Sequence, residues 1–386
     1  MNIRMIGMLS AGHMTNDLSQ GAIPALLPFL IAQHNISYSA AAGIVFAFTL
    51  TGTMVQPLFG YLADQTSKKW MLPAALLLTS SGFALIGFAS NYYALIATVI
   101  FCGIGSAAFH PEAARYVNFA GGRQQATAMS IFGVGGTLGF ALGPLLITTS
   151  VLHWGPTGSL VMLVPTCIAI VMLLTQACRL EHLEKTEETA VLRKESDANS
   201  DNWNAFIRLI LTIIGKSILF YGLVTFIPLY WVKVLNQSET AGAAALSLFS
   251  LSGVIGNLFG GKLADRFGHV KIIIIGCALL IPCLPALAWA ENVHVATLLL
   301  IPTGIFLLMT YGPTVVSGQR YLPNHIGLSS GMTLGVAFSI GGLVAPLLGS
   351  LADNYGIWFA LASISFVPVV ITLLAYTLPA TERAAN

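Results

Sequence analysis

The chain has 386 residues, 56% of them hydrophobic and only 8% charged, with a mean hydropathy of +0.80. A soluble globular domain carries about 25% charged residues, so these values exclude a water-soluble enzyme or nucleic-acid-binding protein and define an integral membrane protein. The formal net charge of +2 identifies no partner; the placement of the charges is more informative.

Breaking the chain at charges, Gly/Pro/Asn clusters and polar turns predicts about twelve apolar spans. They fall near 5–31, 39–62, 71–89, 93–116, 126–151, 157–178, 205–232, 241–263, 271–290, 294–317, 327–350 and 357–378. The first is too long for the apolar core of a signal peptide and has no A-x-A site. It carries a polar stripe, His13, Asn16, Asp17 and Gln20, whose spacings place all four side chains on one helical face. A carboxylate near a bilayer midplane costs roughly 2.5–3.5 kcal/mol on insertion scales. Such a group is expected to face a bundle interior or a wet cavity.

Span two ends in Gly60-Tyr-Leu-Ala-Asp64-Gln-Thr-Ser-Lys68-Lys69. Here the glycine permits close helix approach, and the aspartate suits a helix N-terminus. Span four carries Phe109-His110-Pro111-Glu112 and then Arg115. Pro111 has no N–H for the carbonyl of Ala107, which predicts a kink. Glu112 and Arg115 are one turn apart, so they read either as a structural ion pair or as a proton or gate switch. His110 is either a hydrogen-bonded core residue or a contact for ligand or proton. Span five, from Gly133 to Leu145, is rich in glycine, which suits close helix packing.

The segment 181–203 holds about a third of all charged residues and reads as a cytoplasmic linker. It divides the chain into six-helix bundles at 1–180 and 204–386. Lys216 lies about as far into span seven as Asp17 lies into span one. It either snorkels to the inner surface or meets an anionic substrate. Tyr221, Trp231, Phe132 and Tyr311 are either aromatic cavity wall or packing. After span eight, Gly261-Lys-Leu-Ala-Asp265-Arg266 repeats the loop that follows span two. Pro111 and Pro313 correspond, as do Gly139 to Pro144 and Gly341 to Pro346, and all these pairs lie 201–202 residues apart. Several matches at one offset imply a duplicated six-helix unit whose halves enclose a central site.

Of the seventeen lysines and arginines, all but Lys216 and Lys233 fall on or near one side if both termini are cytoplasmic. The five cysteines sit in or beside apolar segments without C-x-x-C spacing and read as small hydrophobes. Gly103-Ile-Gly105-Ser-Ala-Ala108 matches a loose dinucleotide pattern but lies inside a span with no strand before it. There is no Walker A loop, no hydrolase motif and no cluster with metal-ligand spacing. The expectation is therefore no enzyme, no cofactor and no metal.

The two Gly-x-Leu-Ala-Asp loops resemble the signature loop of the major facilitator superfamily, in which this loop braces the halves in one access state. Five segments resemble, more closely, its fosmidomycin-resistance-type drug exporters. They are His13-x-x-Asn16-Asp17-x-x-Gln20, Gln56-Pro57-x-x-Gly60-Tyr61, Phe109-His110-Pro111-Glu112, Ser130-Ile-Phe-x-Val-Gly-Gly136 and Leu142-Gly-Pro-Leu-Leu146. Gly139-x-x-x-Gly143-Pro144 also resembles the antiporter motif of such exporters, although Ile147-Thr148 replaces its trailing glycines. The resemblance implies an all-α fold of twelve transmembrane helices in two pseudo-symmetric bundles. It also implies proton-driven efflux of a small, in one reading anionic, drug or metabolite across a bacterial inner membrane. On this expectation Asp17, and after it Glu112, couples protons. His13, Asn16, Gln20, His110 and Lys216 contact substrate, and Asp64, Arg115, Asp265 and Arg266 govern gating. The expected partners are protons, the small-molecule substrate and membrane lipids, with no nucleic acid, and the chain is expected to act as a monomer. Uptake of an organic anion and a non-transporting sensor or scaffold are the competing readings.

Overall fold

A computed structural model describes residues 1–36, 38–66, 70–176 and 200–380. Lys68, Lys69, Cys178, Arg179, Arg383 and almost all of the expected linker, with its Lys185, Arg193 and Lys194, lie outside the described residues. Among the described residues the structure is helical, with no strand.

Ten stretches of these residues are long and apolar enough to cross a membrane. One of them, Gln125–Thr175, spans 51 residues, about 76 Å at 1.5 Å per residue and far more than one bilayer. It breaks after α6 (Gln125–Trp154) at Gly155, φ +64°, and resumes as α7 (Leu163–Thr175). Gly158 returns against the backbone of Ser150, so the chain doubles back there. The first helix, α1 (Ile3–His34), is not among the ten, because its polar stripe lowers its hydropathy, yet its 32 residues are ample for a crossing. Ten stretches, one of them double, together with α1 account for the twelve crossings expected.

Helix starts use the side chains that best replace missing intrahelical acceptors. Asn2 caps α1, Asn91 caps α5 (Tyr92–Gly121) and Asn202 caps α8 (Trp203–Lys233), each accepting an N–H from three residues on. Between α1 and α5 lie α2 (Tyr38–Thr49), α3 (Gln56–Thr66) and α4 (Met71–Leu85). Helix α5 continues through Pro111 as one element.

The chain forms two compact units. One comprises Met1–Asp201 with Pro323–Val336; the other comprises Asn202–Leu322 with Ala337–Asn386. The core of the first is a cluster of fully buried apolar side chains from α1, α2, α4, α5 and α6, including Leu26, Phe48, Phe83, Leu95 and Ile147. Within it, α6 lies against α1 through glycine. A Cβ on Gly135, Gly139 or Gly143 would stand 2.3, 2.1 or 2.2 Å from the carbonyl oxygens of Ser10, Met14 and Leu18. Close packing thus suffices to explain the glycines of span five, and the helix they hold at backbone distance is the one that carries the polar stripe.

Candidate functional site

Asp17 is buried in the first unit between two histidines. His13, one turn earlier on α1, places Nε2 3.2 Å from Asp17 Oδ2. His110, on α5, places Nε2 3.2 Å from Oδ1. Asn16 donates from Nδ2 to Asp17 Oδ1 at 3.0 Å and to Ser106 Oγ at 3.0 Å, and its own Oδ1 accepts from the Thr79 hydroxyl at 3.1 Å. Thr79 is on α4, so three helices meet at the Asn16–Asp17 pair.

Both rings are clamped from behind. His13 Nδ1 donates to the Phe132 carbonyl at 2.8 Å and His110 Nδ1 to the Ser106 carbonyl at 2.9 Å. The His13 ring stacks on Phe132 with centroids 4.1 Å apart, and meets His110 edge-on at 5.1 Å. Gly136 completes the wall: a Cβ there would lie 2.5 Å from His13 Nε2 and 2.8 Å from Asp17 Oδ2. Because the ring is held on both sides it cannot swing away. Gly136→Ala is therefore expected to cost about 1–3 kcal/mol through overpacking, read as a lower unfolding temperature of the detergent-solubilised protein, while Gly7→Ala, a helical site with nothing within 4 Å, does not lower it.

Of the expected contact residues, His13, Asn16 and His110 join Asp17. Gln20 sits two turns beyond His13, partly exposed, and makes no hydrogen bond to the cluster. Ser106 and Thr79 were not expected. Ser106 had one signal, its i, i+4 spacing to His110; Thr79 had none. The donor atoms of His13, Asp17 and His110 lie within 4.8 Å of one another, close enough on distance for a cation. Spacing along the chain hides this trio, because His110 comes from another helix. The 3.2 Å contacts are those of groups already closed on one another, not of an open cage.

Glu112 and Arg115 pair at 3.3 Å on α5, both buried, with the guanidinium 5.3 Å from the Phe119 ring centroid. Asp64 lies within electrostatic reach of Arg115 and caps a helix start. Its Oδ1 accepts the Gly327 N–H at 2.7 Å and its Oδ2 the Leu328 N–H at 3.0 Å. Gly60 approaches so closely that its Cβ would lie 2.1 Å from the Gly327 carbonyl. Asp201 holds the same segment, accepting the Asn324 N–H at 3.1 Å and contacting His325 Nδ1 at 2.7 Å. Asp64→Ala is expected to remove about 1–2 kcal/mol of capping. Amide hydrogen exchange at Gly327 and Leu328 should then quicken about tenfold, since 1.4 kcal/mol is a factor of ten.

In the second unit Asp265 Oδ1 lies 3.5 Å from His269 Nε2, with Arg320 in electrostatic reach, and Arg266 is exposed with its guanidinium 5.2 Å from the Phe267 centroid. Lys216, on α8, is 8% exposed. Among the described residues it has neither a hydrogen bond nor an ion pair, and the titratable group in its reach is the Cys277 thiol. Its neighbour Ser217 donates to the Ala337 carbonyl at 3.0 Å.

Membrane-length helices that enclose a hydrogen-bonded acid, and a second buried charge that has no counter-ion among the described residues, define a multi-pass membrane protein of the transporter type. The profile of the Major Facilitator Superfamily matches residues 9–346, and the chain belongs to that family. It is 30% identical over 377 residues to the uncharacterized MFS-type transporter YfnC of Bacillus subtilis (strain 168), covering 96% of this chain and 91% of that relative. It is 28% identical over 370 residues to the fosmidomycin resistance protein of Escherichia coli (strain K12), covering 95% and 90%. Among solved structures, the E. coli fucose:proton symporter FucP superposes with a TM-score of 0.75 over 97% of this chain and 98% of that one, at 16% identity, a likeness of fold.

Proposed function

We propose that this transporter exports a small anionic compound in exchange for protons. The observation that carries the coupling is Asp17, a carboxylate buried in a membrane helix and contacted by two histidines. Protonation relieves the cost of a buried charge, so occupancy by a proton decides which arrangement of the helices is cheap. Glu112, already paired with Arg115, is the second candidate for this role. One charge moved through the membrane potential supplies about 2.3 kcal/mol per 100 mV, enough to bias export without any cofactor. Anion recognition is supported by Lys216, a buried ammonium that a substrate carboxylate, phosphate or phosphonate would neutralise. Substrate contact by Asn16 and Gln20, and gating by Asp64, Arg115, Asp265 and Arg266, complete the reading. Capping of the Gly327 and Leu328 amides by Asp64 supports its gating role, since breaking and remaking two charge-assisted bonds is a discrete switch. The proposed setting is a bacterial inner membrane, with both termini cytoplasmic and the chain a monomer.

Export rests on the similarity to the fosmidomycin resistance protein, so fosmidomycin is the first probe. Cells that express the protein should accumulate less of it, and adding it to proteoliposomes should move protons. Greater accumulation would reverse the direction. Silence across a panel of anionic compounds would favour a sensor or scaffold.

A further inference from the structure

We infer that His13, Asp17 and His110 work as one two-proton site, in which the backbone carbonyls of Phe132 and Ser106 fix both imidazole tautomers. The inference rests on the proton-coupled reading and reassigns the two histidines from substrate contact to proton carriage.

A carbonyl oxygen only accepts, so each Nδ1 facing one must hold a hydrogen. In a neutral imidazole that leaves Nε2 as a bare lone pair. Both Nε2 atoms face Asp17 oxygens, which are also acceptors when ionised. Each 3.2 Å contact is therefore attractive only when a proton lies in it, on the ring or on the carboxyl. Two contacts require two protons. With both present the cluster carries one net positive charge, as two imidazoliums and a carboxylate. With both gone it carries one net negative charge, and lone pairs oppose each other at both contacts. Asn16 still donates to Oδ1 in either state, so α1 keeps its hold on Asp17 while the proton-borne link from α5 is lost.

Among the described residues, the charged groups in reach of Asp17 and His110 are the members of the trio themselves. Helix α4 brings Thr79, and α6 brings Phe132 and Gly136. Helices α2 and α7, also packed on α1, contain no charged residue, and Glu112 and Arg115 on α5 pair with each other. The Phe132 and Ser106 carbonyls are positioning groups: they carry no proton themselves but decide which ring nitrogen can exchange one with Asp17.

The test uses the full chain in lipid bilayers, nitrogen-15-labelled at histidine, followed by solid-state NMR from about pH 9 to about pH 5, the range in which imidazole titrates. At the alkaline end His13→Gln and His110→Gln should each remove one ring whose neutral form is protonated at Nδ1. In the wild type these two Nδ1–H groups should show contacts to the carbonyl carbons of Phe132 and Ser106, which decides the point even if a variant fails to fold. Asp17→Asn should change the pH at which the His110 ring takes up its second proton, because the carboxylate facing its Nε2 is gone. Neutral rings protonated at Nε2, titrations indifferent to Asp17, or a stoichiometric transition metal bound by the trio would each overturn the inference. Failure here leaves the coupling reading intact, because that is judged by proton flux; loss of flux coupling alone would leave the tautomers in place.

Discussion

Asp17→Asn is expected to leave the transporter folded and to abolish the proton movement that its substrate drives. Asparagine has almost the same shape as aspartate, and its amide still offers one acceptor and one donor. The donor faces a bare Nε2 and the acceptor a protonated one, so the packing of α1 against α4, α5 and α6 survives with one fewer buried charge. The variant lacks an oxygen that exchanges a proton in step with substrate. Downhill exchange of substrate should persist, whereas accumulation against a gradient should fail. At 100 mV, one coupled charge sustains about 2.3 kcal/mol, a concentration ratio of about fifty, and that ratio should fall to one. A pH-sensitive dye inside proteoliposomes, read on addition of fosmidomycin, measures the coupled component directly. A variant that still moves protons with substrate would transfer the role to another group, of which Glu112 is the first to examine.

The stripe on α1 was legible because helical periodicity is a strong constraint: His13, Asn16 and Asp17 share a face in any α-helix, and a buried carboxylate marks that face as special. Periodicity puts Gln20 on the same face, yet its side chain makes no hydrogen bond to the cluster, because which stretch of a shared face is engaged depends on where partner helices come nearest. Here Gly136 and His110 converge on the turn from 13 to 17. Ser106 and Thr79 stayed hidden for a different reason. Serine and threonine in membrane helices commonly bond back to a carbonyl one turn earlier, as Thr79 also does to Ala75, so the residue type alone does not reveal a tertiary partner. The tautomer locks and the cap on Asp64 rest on backbone groups, which every residue has and no sequence advertises. The glycines of span five illustrate the converse: a motif-like run whose spacing is accounted for by Ser10, Met14 and Leu18 carbonyls pressing on α6.

Lys216→Met is expected to stabilise the protein and to silence transport of anionic probes, a combination that separates a ligand-binding charge from a structural one. If Lys216 completed a structural ion pair, deleting it would strand a buried anion and cost about 3–5 kcal/mol. No such anion accompanies it among the described residues, and the side chain is 8% exposed. A lysine at mid-membrane costs roughly 2.5–3.5 kcal/mol relative to an apolar residue on insertion scales. Methionine fills a similar volume with a flexible apolar chain, so about 1–3 kcal/mol of that cost should return as a higher unfolding temperature. With the ammonium gone, an anionic substrate loses its charge partner, and the apparent affinity for fosmidomycin should fall at least tenfold, the equivalent of about 1.4 kcal/mol. Ligand-induced thermal shift reads both quantities in one experiment: the unliganded midpoint should rise and the shift on adding fosmidomycin should vanish. A lower unliganded midpoint would identify Lys216 as structural, and anion recognition would then have to be sought elsewhere in the fold.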